Sequence, residues 1–170
     1  MKTKVLFEEV QRQNQKWIWF LLLMILGLVI FAFIQQILFH KPFGTHPVPD
    51  WAFIFFFTIP LLLFLLLFRM ELRTRINDKQ ISFSYRPFFR REKVIEWSDI
   101  KNCYIRIYNP IKEYGGWGIR WSVKRGHGRA YNVSGNMGIQ LELVNGDMIL
   151  IGTRKPKEAE EKINRIQALN

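Results

Sequence analysis

Residues that form disulfides and metal sites are scarce in this sequence. The 170 residues include one cysteine, Cys103, and three histidines, His40, His46 and His127. A single thiol excludes an intramolecular disulfide, and its place on the apolar side of an alternating segment is typical of a buried core residue rather than a nucleophile. The spacing of His40, His46 and Asp50 matches no standard set of metal ligands, and the third histidine is far away in the sequence. We therefore expect no metal site and no cofactor.

Signatures of nucleotide binding and catalysis are also missing. The glycine-rich segment 114–120 is not followed by Gly-Lys-Ser/Thr and does not stand between a strand and a helix, so it predicts neither a phosphate loop nor a dinucleotide site. Three carboxylates, Glu92, Glu96 and Asp99, lie near one turn. In a basic domain they are better explained as ion-pair partners and a turn cap than as an acid and a base, so we expect no enzyme.

Charged residues are absent from two long apolar runs, residues 17–39 and 51–68, which are separated by a polar loop at residues 40–50. A helix needs about 20 apolar residues to cross the ~30 Å core of a bilayer, so the sequence predicts a transmembrane helical hairpin over residues 17–68. A cleaved signal peptide is the alternative for the first run, although the run is longer than a usual secretory core. A buried helix of a soluble protein is the alternative for the second, although it has no polar face.

The flanks of the runs predict their orientation. Basic residues stand outside the hairpin, at Lys2, Lys4, Arg12, Lys16, Arg69, Arg73 and Arg75, whereas the connecting loop has only Lys41. Because basic flanks tend to stay in the cytoplasm, the N-terminal segment 1–16 and the domain 69–170 are both predicted there. The apolar runs contain no ionisable residue, which disfavours a transport role.

The domain 69–170 carries most of the excess positive charge. It has 20 Lys and Arg against 11 Asp and Glu, a net of +9 out of +11 for the chain. Such a surface suits anionic lipid headgroups, to which each nearby basic residue contributes ~1 kcal/mol. A basic surface exposed only to solvent explains the same charge, and we expect no nucleic acid partner.

Alternation with a period of two dominates this domain and predicts strands. Residues 72–76 and 81–85 form a hairpin around the turn Asn77-Asp78-Lys79, and similar segments continue to Ile151. From Pro156 the period changes to that of a helix, with one apolar stripe. The expected fold is mainly β (α+β): a strongly bent antiparallel sheet or barrel of seven or eight strands, capped by a C-terminal helix.

This organisation resembles the bacterial pleckstrin-homology-like (PH-like) domains that follow a two-helix transmembrane hairpin. The segment 94–100, Val-Ile-Glu-Trp-Ser-Asp-Ile, is similar to the W-x-D-I turn of these modules. The chain also resembles a group of uncharacterised bacterial membrane proteins in which segments like 114–120 and 149–153 recur. The resemblance implies a PH-like domain at the bacterial inner membrane and no assigned activity. The short, nearly neutral loop 77–80 differs from the basic loop of phosphoinositide-binding pleckstrin domains.

Two segments are candidate binding surfaces. The first pairs rings with cations at Phe88, Phe89, Arg90 and Arg91 and predicts a contact with the membrane surface. Its alternative is core phenylalanines beside solvated arginines. The second predicts a partner-binding loop at Tyr114, Gly115, Gly116, Trp117, Gly118 and Arg120. Its alternative is a sharp turn that tucks Trp117 against the domain. A basic glycine-rich stretch, residues 124–129, is consistent with a hairpin tip.

The sequence therefore favours a noncatalytic integral membrane protein whose cytoplasmic module mediates protein interaction or self-assembly at the membrane surface. An anionic-lipid-binding or sensing module is the alternative with the same anatomy. A small membrane enzyme is the third class, and it requires a cleft that gathers Tyr114, Arg120, His127 and a carboxylate.

Overall fold

The structure is a computed structural model, and it describes residues 5–13, 15–42, 44, 46, 48–122 and 128–168. The chain divides into two compact units. We call residues 14–69 the helical unit, and residues 1–13 with 70–170 the sheet unit. The sheet unit is therefore discontinuous in sequence, because the helical unit interrupts it near its beginning.

The helical unit contains two apolar helices. Helix α1 spans Lys16–Phe33 and continues as a π-helical turn over Ile34–Leu38, and helix α2 spans Ala52–Arg69. Both are long and apolar enough to cross a membrane. The rings of Phe33 and Phe53 contact edge to face with centroids 5.6 Å apart, so aromatic packing joins the two helices.

The first sheet of the sheet unit contains four antiparallel strands in the order β1-β2-β3-β4. They are β1 at Val5–Arg12, β2 at Glu71–Asn77, β3 at Gln80–Arg86 and β4 at Phe89–Glu96. Strands β2 and β3 are the hairpin that alternation predicts. Strand β1 was not predicted: the sequence analysis placed it in a separate N-terminal segment, whereas the structure pairs it with β2 along its length.

The second sheet contains five strands in the order β5-β8-β9-β7-β6. They are β5 at Ile100–Ile107, β6 at Gly118–Trp121, β7 at Arg129–Asn132, β8 at Met137–Leu143 and β9 at Met148–Gly152. A short helix, α3 at Pro110–Tyr114, precedes β6, and α4 at Pro156–Gln167 follows β9. The predicted C-terminal helix is thus present.

The expected α+β class is confirmed, whereas the expected single strongly bent antiparallel sheet or barrel of seven or eight strands is not. The described residues form nine strands in two separate sheets, with no ladder between the sheets. Strands β7 and β9 are parallel. The antiparallel pair β6–β7 extends the sheet beside β9, and not beside β8, which is the next strand in the sequence. A single 3₁₀ turn at Trp97–Asp99 carries the chain from β4 in one sheet to β5 in the other, so the sheets stack instead of closing.

The core lies between the inner faces of the sheets. Strand pairing places three rows on the inner face of the first sheet: Phe7, Ile76, Ile81 and Ile95; Glu9, Thr74, Phe83 and Lys93; and Gln11, Leu72, Tyr85 and Phe89. The opposing face includes Ile139, Leu141 and Ile151, all fully buried. Helix α4 buries Ala159, Ile163 and Ile166 and packs against β1, β5 and β8.

Two buried polar residues of β1 fasten this strand to the end of β9. The Glu9 carboxylate accepts hydrogen bonds from the Thr153 hydroxyl (2.7 Å) and the Arg154 backbone N–H (2.8 Å). The Gln11 side-chain amide donates to the Gly152 carbonyl at 2.6 Å. Strand β1 therefore contacts both sheets and is an integral part of the unit.

Candidate functional site

The turn between β3 and β4 presents an aromatic ring among arginines. The Phe88 side chain is 58% exposed, and Arg86, Arg90 and Arg91 are exposed beside it in the sequence. Within the described residues, the structure records no ion pair for these three arginines. We call Arg86, Phe88, Arg90 and Arg91 the arginine tip.

The two phenylalanines of this turn have different environments. Phe89 lies on the inner face, where its ring centroid is 6.2 Å from that of Phe83 and 5.9 Å from that of Tyr131. Phe88 instead extends outward, and its ring centroid is 6.0 Å from that of the buried Tyr85. Of the four predicted residues, the structure thus places the half-buried Phe89 on the inner face and the other three at the surface. It adds the exposed Arg86, which directly follows the predicted strand at residues 81–85.

The glycine-tryptophan segment begins at α3. The Asn109 side chain caps this helix by accepting from the Lys112 N–H (3.0 Å), and Gly115 ends it with φ +70°. The Tyr114 side chain is only 2% exposed, and its hydroxyl bonds the Arg106 guanidinium at 3.0 Å. Of the predicted partner-binding residues, Tyr114 is therefore buried, in a cluster with Tyr108, Ala130 and Leu150.

The remaining residues of the segment are partly or fully exposed, but several are held by hydrogen bonds. The Trp117 indole N–H donates to the Gly135 carbonyl at 2.9 Å, and the Gly118 N–H donates to the Asn132 side chain at 2.8 Å. The exposed Arg120 donates to the Trp117 carbonyl at 3.1 Å. Trp117 is half-buried and anchored, which agrees with the tucked alternative, and partner binding by this segment stays a prediction.

A cleft opens between the two sheets at the edge formed by β4. Its volume is about 500 Å³, and it is bordered by β4 on one side and by β6, β7 and β9 on the other. Five of its lining side chains carry its chemistry: Phe83, Lys93, Trp121, Arg129 and Tyr131. We call it the interlayer cleft. A volume of this size is typical of small-molecule sites.

Both cations of the cleft lie against aromatic rings. The Lys93 ammonium is 4.9 Å from the Phe89 centroid and 5.1 Å from the Tyr131 centroid, and it donates to the Tyr131 hydroxyl at 3.0 Å. The Arg129 guanidinium is 3.7 Å from the Trp121 ring, which is 65% exposed. Cation–π contacts hold each charge in place without neutralising it.

The interlayer cleft was not predicted from the sequence, although the alternation of its strands contains a signal for it. Lys93 is in phase with Ile95, Arg129 with Tyr131, and Trp121 with Ile119, so alternation alone places all three beside core positions. A lysine or arginine that alternation places on the same strand face as core residues is the feature that could have indicated an anion-binding site. The stacking that brings them together is not visible in the sequence.

Burial governs the protonation of the core groups. It raises the pKa of the Cys103 thiol to about 12, as expected for a structural thiol. Burial likewise raises the pKa of Tyr108 to about 12, and it raises the pKa of Tyr85. These three groups are therefore protonated at neutral pH and offer no nucleophile there.

Other predicted features fall partly outside the described residues. Of the basic stretch 124–129, residues 124–127 lie outside them, and so does His127 of the enzyme hypothesis. In the loop between the two apolar helices, Asp50 accepts a hydrogen bond from the Gln36 side chain at 2.6 Å. Among the residues that the structure describes, no group of three or more His, Cys, Asp or Glu side chains gathers in a way that could hold a metal ion.

Comparison with known proteins places the chain in a family. No curated protein matches the sequence significantly. A family model described as a family of unknown function matches residues 1–169, which include both apolar helices and both sheets. This agrees with the expected resemblance to uncharacterised proteins, whereas PH-like identity stays a prediction. The chain thus belongs to the family of unknown function DUF6141.

Proposed function

We propose that this chain is a noncatalytic membrane protein whose sheet unit lies at the cytoplasmic surface of the bacterial inner membrane and contacts anionic lipid headgroups through the arginine tip. The observation that carries the proposal is the exposed Phe88 among three exposed arginines, for which no ion pair is recorded in the described residues. Rings at headgroup level beside guanidinium groups are typical of membrane-surface contacts.

The pairing of β1 with β2 supports a two-crossing topology. Strand β1 precedes α1 and β2 follows α2, yet the two strands are hydrogen-bonded neighbours. One crossing would leave them on opposite sides of the bilayer, whereas two crossings return the chain to the same side. Removal of α1 as a signal peptide would also remove β1 from its sheet. The basic flanks indicate the cytoplasmic side.

The binding free energy of the arginine tip and the covalent connection to the helices together explain how the tip contact can form. Three arginines near an anionic surface contribute ~3 kcal/mol together, at about 1 kcal/mol each. A free domain would bind only weakly with this energy. Here two covalent connections hold the unit near the bilayer, so the local lipid concentration is high and a weak contact suffices to orient the unit.

Protein interaction or self-assembly through residues 114–120 remains the other expectation for this unit. The hydrogen bond from the Trp117 indole to Gly135 makes that segment a weaker candidate, since the ring is already engaged within the unit. The tip has no comparable internal hydrogen bonds recorded in the described residues. We therefore favour the lipid contact.

The test uses the full-length protein in nanodiscs, with hydrogen exchange of residues 86–91 as the readout. We expect slower exchange in discs that contain phosphatidylglycerol than in phosphatidylcholine discs. The difference should disappear in about 1 M salt, where the Debye length is ~3 Å. It should also disappear in the double variant Arg90→Gln/Arg91→Gln.

Arg120→Gln is the matched control, because it removes an exposed arginine of the second sheet and leaves the tip intact. It should keep the lipid-dependent protection. Equal exchange in the two lipids, or loss of protection in Arg120→Gln as well, would contradict a contact made by the tip.

A further inference from the structure

The second sheet carries a cation and an exposed indole on the face that builds the core. Pairing places Cys103, Leu141, Ile149, Arg129 and Trp121 in one row across the sheet. The first two are buried in the core. Residues in one row share a face, so Arg129 and Trp121 face the interlayer space.

The first sheet contributes a cation from the opposite side. Lys93 belongs to the same row as Phe83, and the Phe83 ring contacts Tyr131 of the second sheet with centroids 4.8 Å apart. Both sheets therefore present a positive charge to one cleft. Both residues are exposed, so Lys93 and Arg129 stand at the open mouth of the cleft, where each charge keeps part of its hydration.

Neither cation is paired with a carboxylate of the part of the chain that the structure describes. Within the described residues, the structure records no ion pair for Lys93 or Arg129. The hydrogen bond recorded for Lys93 goes to the Tyr131 hydroxyl. Among the described lining residues there is one carboxylate, Asp147, which accepts a hydrogen bond from Asn145 of its own turn. The described part of the lining thus has two cations against one carboxylate.

The cleft also has an apolar wall. Phe83, Ile95, Met148 and Ile149 line it together with the Tyr131 ring. Its shape depends on Gly128, which has φ +65° and whose Cβ, if present, would lie 1.7 Å from the Met148 carbonyl oxygen. Only glycine allows the backbone there to approach β9 this closely.

We propose that the interlayer cleft binds a small organic oxyanion, a phosphate or carboxylate carried on an aromatic or apolar body. Lys93 and Arg129 hold the oxyanion, and the wall holds the body. Guanidinium and ammonium groups are the donors that such anions prefer. The cleft is distinct from the arginine tip, and the inference does not rest on the proposed lipid contact.

The oxyanion has two possible sources, a soluble metabolite and a lipid headgroup, and the experiment separates them. The probe is 4-fluorophenyl phosphate, observed by ¹⁹F line broadening with the full-length protein in a non-ionic detergent. Its neutral counterpart, 4-fluorophenol, controls for apolar binding. Competition with inorganic phosphate tests the soluble source, and competition with dihexanoyl phosphatidylglycerol tests the headgroup.

The variants assign the binding to the two cations. Lys93→Gln and Arg129→Gln should each weaken probe binding about tenfold, which corresponds to the loss of one charge-assisted hydrogen bond. Arg120→Gln is the matched control, since it precedes Trp121 on β6 and its side chain points to the opposite face. It should bind like the parent protein, and so should Arg90→Gln/Arg91→Gln.

Each outcome either supports or overturns the binding of an oxyanion in the interlayer cleft. Selective loss in the two cleft variants supports the inference, and the stronger competitor identifies the source of the oxyanion. Absence of broadening at millimolar probe overturns it, as does equal binding of 4-fluorophenol or equal weakening by Arg120→Gln. Lys93→Arg keeps the charge and should retain binding, which separates a lost contact from a lost fold.

Discussion

Replacement of Glu9 by alanine tests whether β1 is held in the sheet unit by its buried carboxylate. Glu9 is 5% exposed, and its two oxygens accept from the Thr153 hydroxyl and the Arg154 backbone N–H. Alanine leaves both donors without this acceptor in a buried setting. Each unsatisfied buried group costs ~1–3 kcal/mol, so for the two donors we expect a loss of about 2–6 kcal/mol in the stability of β1.

The neighbouring carboxylate supplies a matched control. Glu8 lies on the outer face of the same strand, where its side chain is 41% exposed and pairs with Arg75 at 3.0 Å. Exposed ion pairs of this kind contribute ~0–1 kcal/mol. The variants Glu9→Ala and Glu8→Ala remove the same charge one residue apart, so they isolate the effect of burial.

Hydrogen exchange of the β1 amides in the full-length protein measures the difference. Because 1.4 kcal/mol corresponds to about tenfold in an equilibrium constant, Glu9→Ala should accelerate exchange by ~30-fold or more. Glu8→Ala should change it by less than about fivefold. Amides of α1 and α2 should be unaffected in both variants, since they belong to the helical unit. Equal acceleration by the two variants would refute the assignment of Glu9 as the anchor of β1.

Two further predictions concern the sheet unit. Gly128→Ala should disrupt the start of β7 and lower the melting temperature severely, because the new Cβ would lie 1.7 Å from the Met148 carbonyl oxygen. Gly146→Ala, where φ is +89° but the space is open, should lose only ~1–2 kcal/mol, and similar losses by thermal unfolding would count against the close approach. Burial of the Cys103 thiol raises its pKa to about 12, above the usual ~8.5, so its reactive thiolate is rare at pH 8. Iodoacetamide should label it more than about 10³-fold slower in the folded protein than in urea, and rapid labelling of the folded form would contradict its burial.

Local periodicity was enough to predict several elements. The hairpin β2–β3 follows from alternation on both sides of a polar turn, and α4 follows from its proline start and its single apolar stripe. The two apolar helices follow from composition alone. Each of these signals is contained in a continuous segment, so no knowledge of a distant partner is required.

Long-range pairing was not predictable in the same way. Strand β1 is separated from β2 by the whole helical unit, and its alternating pattern ends close to the first apolar run. The parallel pairing of β7 with β9 likewise depends on where a hairpin lies after the sheets have stacked. Single-sequence patterns specify faces and periods, whereas the choice of neighbour is decided by the packing of all strands at once.

The candidate sites were also predicted only in part, because the sequence shows which residues are neighbours in the chain and the structure shows which of them are exposed. The sequence placed Phe88, Arg90 and Arg91 together because they are consecutive in one turn, and only the structure separated the outward Phe88 from the inward Phe89. It also showed that Tyr114 is buried. Proximity along the chain therefore located a candidate surface, and side-chain direction within the fold decided which residues are available on it.

By itself the sequence determined the two apolar helices, the basic character of the remaining domain and the strand periods, since each depends on composition or spacing within one segment. Tertiary structure alone decided that β1 completes the first sheet and that the two sheets stack without closing. It also decided that Lys93 and Arg129 border one cleft. The physical reason is that stacking brings together faces whose residues are far apart along the chain, and the buried contacts of both sheets select that arrangement.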